Sequence, residues 1–179
     1  MIHDGVEVKK VKFILYIHKI TILNHDIYTN LNHNIAPGED PFLTASYAKY
    51  FVLGMQGNDY TFDKSKNANS QKLGNSTSKY LKVSACCKHY ADYSIESNRD
   101  SFNSIVTDYD QNDTYLIAFK SCITEADVSG LMCAYDAING VPSCANYETQ
   151  TVLARETWGF NGYITSDCGA VADVFTQHH

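Results

Sequence analysis

Residues 130–171, GLMCAYDAINGVPSCANYETQTVLARETWGFNGYITSDCGAV, decide the fold. Two short apolar runs, Gly130–Tyr135 and Gly162–Ser166, flank a Gly-Val-Pro turn and a helix predicted over roughly Tyr147–Thr157. Each run is short and bounded by turn residues, which predicts a buried strand. The stretch between them is long enough for a helical crossover, so the two strands are predicted to run parallel. The same pattern repeats upstream. Tyr80–Cys87 is a third candidate strand ending at Lys88-His89, and Thr107 with Asp108 looks like a helix cap. Tyr115, Leu116, Phe119, Cys122 and Ile123 then recur at helical spacing. The order strand-helix-strand-helix-strand predicts an α/β fold with a parallel sheet.

Parallel strands place their carboxyl ends on one rim, where ligands and catalytic groups collect in open sheets and barrels alike. Here the rim would carry Lys88-His89, Tyr135-Asp136 and Ser166-Asp167-Cys168. Asp167 has two readings: a partly desolvated carboxylate serving as nucleophile or base, or a cap for the helix that follows. Lys88-His89 is either a pair of donors for ligand hydroxyls or a solvated pair opening a loop. Tyr135 is either a ligand-facing hydroxyl or a packed ring with its tip in water, and Met132 taken alone reads as core. Cys86-Cys87 beside His89 also allows a thiol–histidine couple or part of a metal site. Neither has a third partner at recognisable spacing, so a disulfide or a buried thiol is the default. The terminal His178-His179 pair lacks partners too. No GxGxxG or GxxxxGK[ST] follows a strand, which removes the usual support for dinucleotide or nucleoside-triphosphate binding.

Upstream, Ala36-Pro37-Gly38-Glu39-Asp40-Pro41 opens a helix. Asp40 is placed to cap it and Pro41 suits its first turn, while Leu43, Tyr47, Phe51 and Leu53 supply an apolar face and Gly54 and Gly57 close it. Residues 58–79 are Asn, Ser, Lys and Gly with little to bury, which predicts a polar surface loop. Residues 1–34 alternate apolar runs with Asn/His-rich turns and are left unassigned. The domain assignment is therefore 1–34 unassigned and 35–179 one α/β unit. The 179 residues are 44% hydrophobic, enough for a core, and only 19% charged. A net charge of -6 with no basic run argues against nucleic acid or anionic membrane as partner. No apolar stretch reaches the roughly 18–20 residues that cross a bilayer. Val11–Leu23 is broken by Lys12, His18 and Lys19 and has no small-residue cleavage site after it, so it makes a poor signal peptide. The six cysteines form no CxxC pair and permit up to three disulfides of open connectivity. Sequons at Asn75 and Asn112 would accept glycans in the secretory pathway, and with the cysteines they lean toward an extracellular compartment.

Four strings carry a resemblance: PGEDPFL (37–43), KVSACCKHY (82–90), LMCAYDAINGVPSCAN (131–146) and GYITSDCGAV (162–171). In this order they resemble glycoside hydrolase family 3, over about residues 36–179 apart from the polar loop. The pair Cys86-Cys87 and the Cys168 after Asp167 resemble its β-xylosidase-like branch; many β-glucosidases have Trp at the latter position. The resemblance implies a TIM-like barrel and retaining, exo-acting hydrolysis of terminal β-linked sugars through a covalent glycosyl-aspartate. Asp167 matches the nucleophile, and Lys88 and His89 match the residues that hold sugar hydroxyls. Tyr135 matches a residue lining the same subsite, with Met132 against it. The implied substrate is an oligosaccharide or aryl glycoside, and no cofactor or metal is implied.

The departures define further expectations. Leu31–Ala36 holds no Arg where the family carries one before PGEDP, and Asp136 stands where relatives often have Asn. Nothing in 1–34 matches the early barrel strands, and a complete barrel takes about 250 residues. A retaining glycosidase needs a second carboxyl group as acid/base, which the family usually places in a domain C-terminal to the barrel. The chain is therefore expected to be a partial barrel, incomplete at its N-terminal side and inactive by itself. The alternative is a non-catalytic remnant with at most sugar binding.

Overall fold

In the computed structural model, residues 37–57 and 81–178 are described. The readings of 1–34 and 58–79, including the Asn75 sequon, lie outside the described residues. The described residues hold six strands: β1 (Cys86–Tyr90), β2 (Asn103–Ser104), β3 (Gly130–Cys133), β4 (Ala137–Ile138), β5 (Val141–Pro142) and β6 (Tyr163–Ser166). β1, β3 and β6 form a parallel sheet in that order, the three strands expected from sequence. β2 pairs parallel with β4, and β4 pairs antiparallel with β5, in a small second sheet.

The helices are α1 (Pro41–Gln56), α2 (Asp108–Asp110), α3 (Ile117–Thr124) and α4 (Ala170–Thr176). A π-helical turn, Gln111–Tyr115, joins α2 to α3, and a π-helical segment, Glu148–Thr157, fills the crossover between the last two parallel strands. The cap positions follow the sequence. Asp40 accepts from Leu43 N at 2.7 Å, Pro41 opens α1, and Gly57 ends it at φ 79 in the left-handed region. The Thr107 hydroxyl accepts from Asp110 N at 3.1 Å.

Sheet register explains the core. Cys87, Leu131 and Ile164 are direct neighbours, on the face covered by Ala48, Val52 and Leu53 of α1 and Phe119, Cys122 and Ile123 of α3. Lys88, Met132 and Thr165 are the next set of neighbours, so they occupy the opposite face. Disulfides Cys87–Cys122 and Cys133–Cys144 tie β1 to α3 and β3 to the turn after β5. Cys86 is a buried free thiol and Cys168 an exposed one.

Three local expectations are corrected. The first strand is Cys86–Tyr90, not Tyr80–Cys87, because the buried Tyr90 carries the pairing on through Lys88-His89. α1 buries Thr44, Ala45, Ala48, Val52, Leu53 and Gln56, whereas Leu43 is half exposed and Tyr47 is exposed. Small residues win that face because α1 packs closely on α3, where Ser121 Oγ donates to the Ala45 carbonyl at 3.2 Å. The expected Gly-Val-Pro turn lies instead at Asn139-Gly140 (φ 50 and 87), between β4 and β5, and Val141-Pro142 belongs to β5. Asn-Gly supplies the two positive φ values that a two-residue hairpin turn needs.

Candidate active site

β1, β3 and β6 end side by side, and their terminal side chains converge. Asp167 directly follows β6, its amide donating to the Cys133 carbonyl at 3.1 Å and so extending the β3–β6 pairing by one residue. His89 sits where the β1–β3 register slips, between the pairs Lys88–Met132 and Tyr90–Cys133. The slip releases His89 from the alternation that sends Cys87 and Tyr90 into the core. His89 Nε2 lies 2.8 Å from Asp167 Oδ2, with the histidine almost wholly buried and the carboxylate 16% exposed. Asp167 Oδ1 accepts from Cys168 N at 2.7 Å.

The capping reading of Asp167 fails on these contacts. α4 begins after Gly169, its cap position carries no side-chain bond, and the Asp167 carboxylate bonds His89 and Cys168 N instead. The reading of Lys88-His89 as a solvated pair beyond a strand also fails. Both lie within β1, with His89 buried and Lys88 half-buried.

Tyr135 closes one side of the site. Its hydroxyl donates to the Cys168 carbonyl at 3.0 Å. Burial, then the charge of Asp167, pushes the Tyr135 phenol up to about 12, so it keeps its proton at neutral pH and remains a donor. Met132 is buried on β3 on the same sheet face as Lys88. Sequence reasoning missed the loop after β1. Tyr93 stands edge-on to His89 at 5.2 Å between ring centroids, and its hydroxyl donates to Glu96 Oε2 at 2.8 Å. Arg99 lies 4.8 Å above the Tyr135 ring and pairs with Glu96 at 3.1 Å, adding a cation to the rim. The only available signal was the mix of aromatic and charged residues in 93–102, which has no period. His178 Nε2 lies 2.8 Å from the Tyr135 carbonyl; His179 lies outside the described residues.

The thiol and metal alternatives lose their residues. Cys87 is in a disulfide on the core face, and burial pushes the free Cys86 thiol up to about 12, which disfavours a thiolate. Among the described residues no group of three or more His, Cys, Asp or Glu side chains is arranged to hold a metal ion. Among them, too, no helix is long and apolar enough to cross a membrane.

Three of the four strings lie along the three parallel strands and their carboxyl ends, and comparison with known proteins identifies the family. The family model described as "Glycosyl hydrolase family 3 N terminal domain" matches residues 29–179. The chain belongs to glycosyl hydrolase family 3. It is 43% identical over 143 residues to probable beta-D-xylosidase 7 of Arabidopsis thaliana, covering 78% of this chain and 17% of that protein. It is 40% identical over 147 residues to beta-xylosidase/alpha-L-arabinofuranosidase 2 of Medicago sativa subsp. varia, covering 80% and 17%. Among solved structures, a GH3 exo-beta-xylosidase (XlnD) in complex with a xylobiose aziridine activity-based probe aligns with TM-score 0.66 and 36% identity, over 80% of this chain and 17% of that one. Beta-glucosidase 3B from Thermotoga neapolitana in complex with glycerol aligns with TM-score 0.58 and 28% identity, over 72% and 15%. The chain thus spans about 17% of the length of the curated relatives it matches. The parallel sheet corresponds to part of the TIM-like barrel of family 3.

Proposed function

We propose that this family 3 chain carries the nucleophile side of a retaining, exo-acting β-glycosidase site of the β-xylosidase/β-glucosidase type. The 2.8 Å contact between His89 Nε2 and Asp167 Oδ2 on the strand-end rim carries this reading. One carboxylate oxygen is held by His89 and the other by a backbone amide, so the group is fixed in orientation and still partly accessible. Attack of an Asp167 oxygen on the anomeric carbon forms a glycosyl ester as the bond to the leaving oxygen breaks. Water then hydrolyses the ester with overall retention. His89 and the Tyr135 hydroxyl stand beside the carboxylate as groups suited to sugar hydroxyls, and Lys88 shares a sheet face with Met132 on the neighbouring strands. No cofactor takes part.

The acid that protonates the leaving group is assigned to a carboxyl outside these residues, as the family pattern implies. Protonation of a poor leaving group typically contributes about 10²–10⁴-fold. Residues 1–179 alone should therefore give no steady turnover of nitrophenyl xyloside or glucoside. A 2,4-dinitrophenyl β-xyloside leaves without protonation and should release about one equivalent of dinitrophenolate in a burst. Absence of the burst, or a burst that survives Asp167→Ala, overturns the assignment.

The compartment fits the same reading. Two disulfides among the described residues suit an oxidising, extracellular setting. Asn112 is exposed on the π-helical turn after α2, where a glycan would point to solvent, and Asn75 is the second acceptor.

A further inference from the structure

Next to Tyr135 in the chain, Asp136 belongs to a buried polar cluster that has no part in the glycosidase chemistry proposed above. Asp136 is wholly buried and Asp92 is 5% exposed. Ser104 of β2 stands between them, its Oγ 2.9 Å from the Asp92 carbonyl oxygen and 3.2 Å from Asp136 Oδ2. Ser143 Oγ is 3.4 Å from Asp136 Oδ1, and Ser143 N donates to the Asp136 carbonyl at 2.8 Å. Gln111 Nε2 donates to Asp92 Oδ2 at 2.6 Å, while Asp92 Oδ1 is buried with no hydrogen-bond partner.

Counting protons settles the directions. A serine hydroxyl has one hydrogen, and a carbonyl oxygen can only accept. The shorter Ser104 contact is to the Asp92 carbonyl, so the Ser104 hydrogen points there. The second contact of Ser104 Oγ then needs a hydrogen from the other side, and only a protonated Asp136 carboxyl supplies it. We propose that Asp136 works as a neutral carboxylic acid, the first donor in a chain from Asp136 to Ser104 to the Asp92 carbonyl, and that this chain positions the Tyr135 corner of the rim. It joins the β3–β4 corner, which bears Tyr135, to β2 and to the loop after β1.

The surrounding charges support the proton. The charged group acting on Asp136 through space is Asp92, of like sign, from the loop after β1; the uncharged contacts of Ser104 on β2 and Ser143 after β5 act the other way, and burial outweighs them. Tyr90 of β1 and Tyr115 of the π-helical turn face Asp92 and stay protonated, both pushed up by burial and by its charge. Burial, then the neighbouring carboxylate, pushes Asp136 up to about 8, and burial pushes Asp92 up to about 6.

The sign follows. A carboxyl raised in the folded state binds a proton there that the unfolded chain has released above about pH 4. Its stabilisation is complete below about pH 4 and is lost progressively as pH rises to about 8. Around pH 7, between the ranges of Asp92 and Asp136, Asp136 should raise the unfolding constant by up to about tenfold per pH unit, flattening as pH passes about 8.

The test is urea unfolding of the 179-residue chain and of Asp136→Asn across pH 6–8, with carboxyl-carbon NMR of the aspartate-labelled wild type. An asparagine amide copies the shape and donor of the neutral acid but does not titrate. The variant should fold and lose the tenfold-per-unit slope, and the wild-type Asp136 carbon should show the acid form at pH 6.5. An unchanged slope, an Asp136→Asn chain that cannot fold, or a carboxylate signal at pH 6.5 overturns the proposal.

Discussion

Asp167 and His89 are expected to act as one unit, because the buried His89 ring holds one oxygen of a carboxylate that is only partly exposed. His89→Ala would leave a mostly buried carboxylate short of one charge-assisted bond, a loss on the order of 1.5–3 kcal/mol. The variant should therefore unfold at lower urea and also lose the dinitrophenolate burst. Lys88→Ala should cost much less stability, since that side chain is half-buried, while still weakening the burst. Equal stability of His89→Ala and wild type would show that the contact is incidental. Both residues were legible in sequence because they end short apolar runs, and a strand end is a definable place. Their burial was not legible: the register slip that puts His89 inside β1 depends on β3, which is distant in sequence. Arg99 and Tyr93 were invisible for a similar reason. Ring packing against Tyr135 and His89 places them, and their own loop has no pattern.

At the scale of elements, the parallel strands and the caps were readable and the packing faces were not. The strands β3 and β6 stand near their expected places because short apolar runs between turn residues have few alternatives. The face of α1 was misread because apolar spacing favours the large side chains, whereas close approach to α3 selects Ala45 and Ala48. The Asn139-Gly140 pair, one residue ahead of the expected Gly-Val-Pro turn, is the stronger hairpin signal, because both residues accept positive φ. Cysteine pairing could not be read at all, since six residues allow many connectivities. The Cys87–Cys122 bridge spans 35 residues from strand to helix. Loop-closure entropy for that span is worth about 3–4 kcal/mol. Cys87→Ala/Cys122→Ala should accordingly lower the midpoint of thermal unfolding by roughly 6–16 °C for a chain of this size. A shift within 2 °C of zero would mean that the bridge does not constrain the unfolded chain.

For the whole molecule, the family was legible because four separate strings keep one order, and chance rarely preserves order as well as content. The sheet then explains why the strings matter. KVSACCKHY, LMCAYDAINGVPSCAN and GYITSDCGAV each cover one of the three parallel strands, all but Gly130 in the case of β3, and the residues at its carboxyl end. PGEDPFL instead opens the helix that covers the back of the sheet. The central claim is that this rim presents Asp167 as a nucleophile. It is tested most directly by incubating the chain with 2,4-dinitrophenyl 2-deoxy-2-fluoro-β-xyloside. That reagent needs no acid to react, and its fluorine slows release of the ester. After tryptic digestion, the peptide following Arg155 should carry one fluoroxylosyl group, and fragmentation should place it on Asp167. A label on Glu156 or Asp173 of the same peptide, a label on any other carboxyl, or no label would contradict the account.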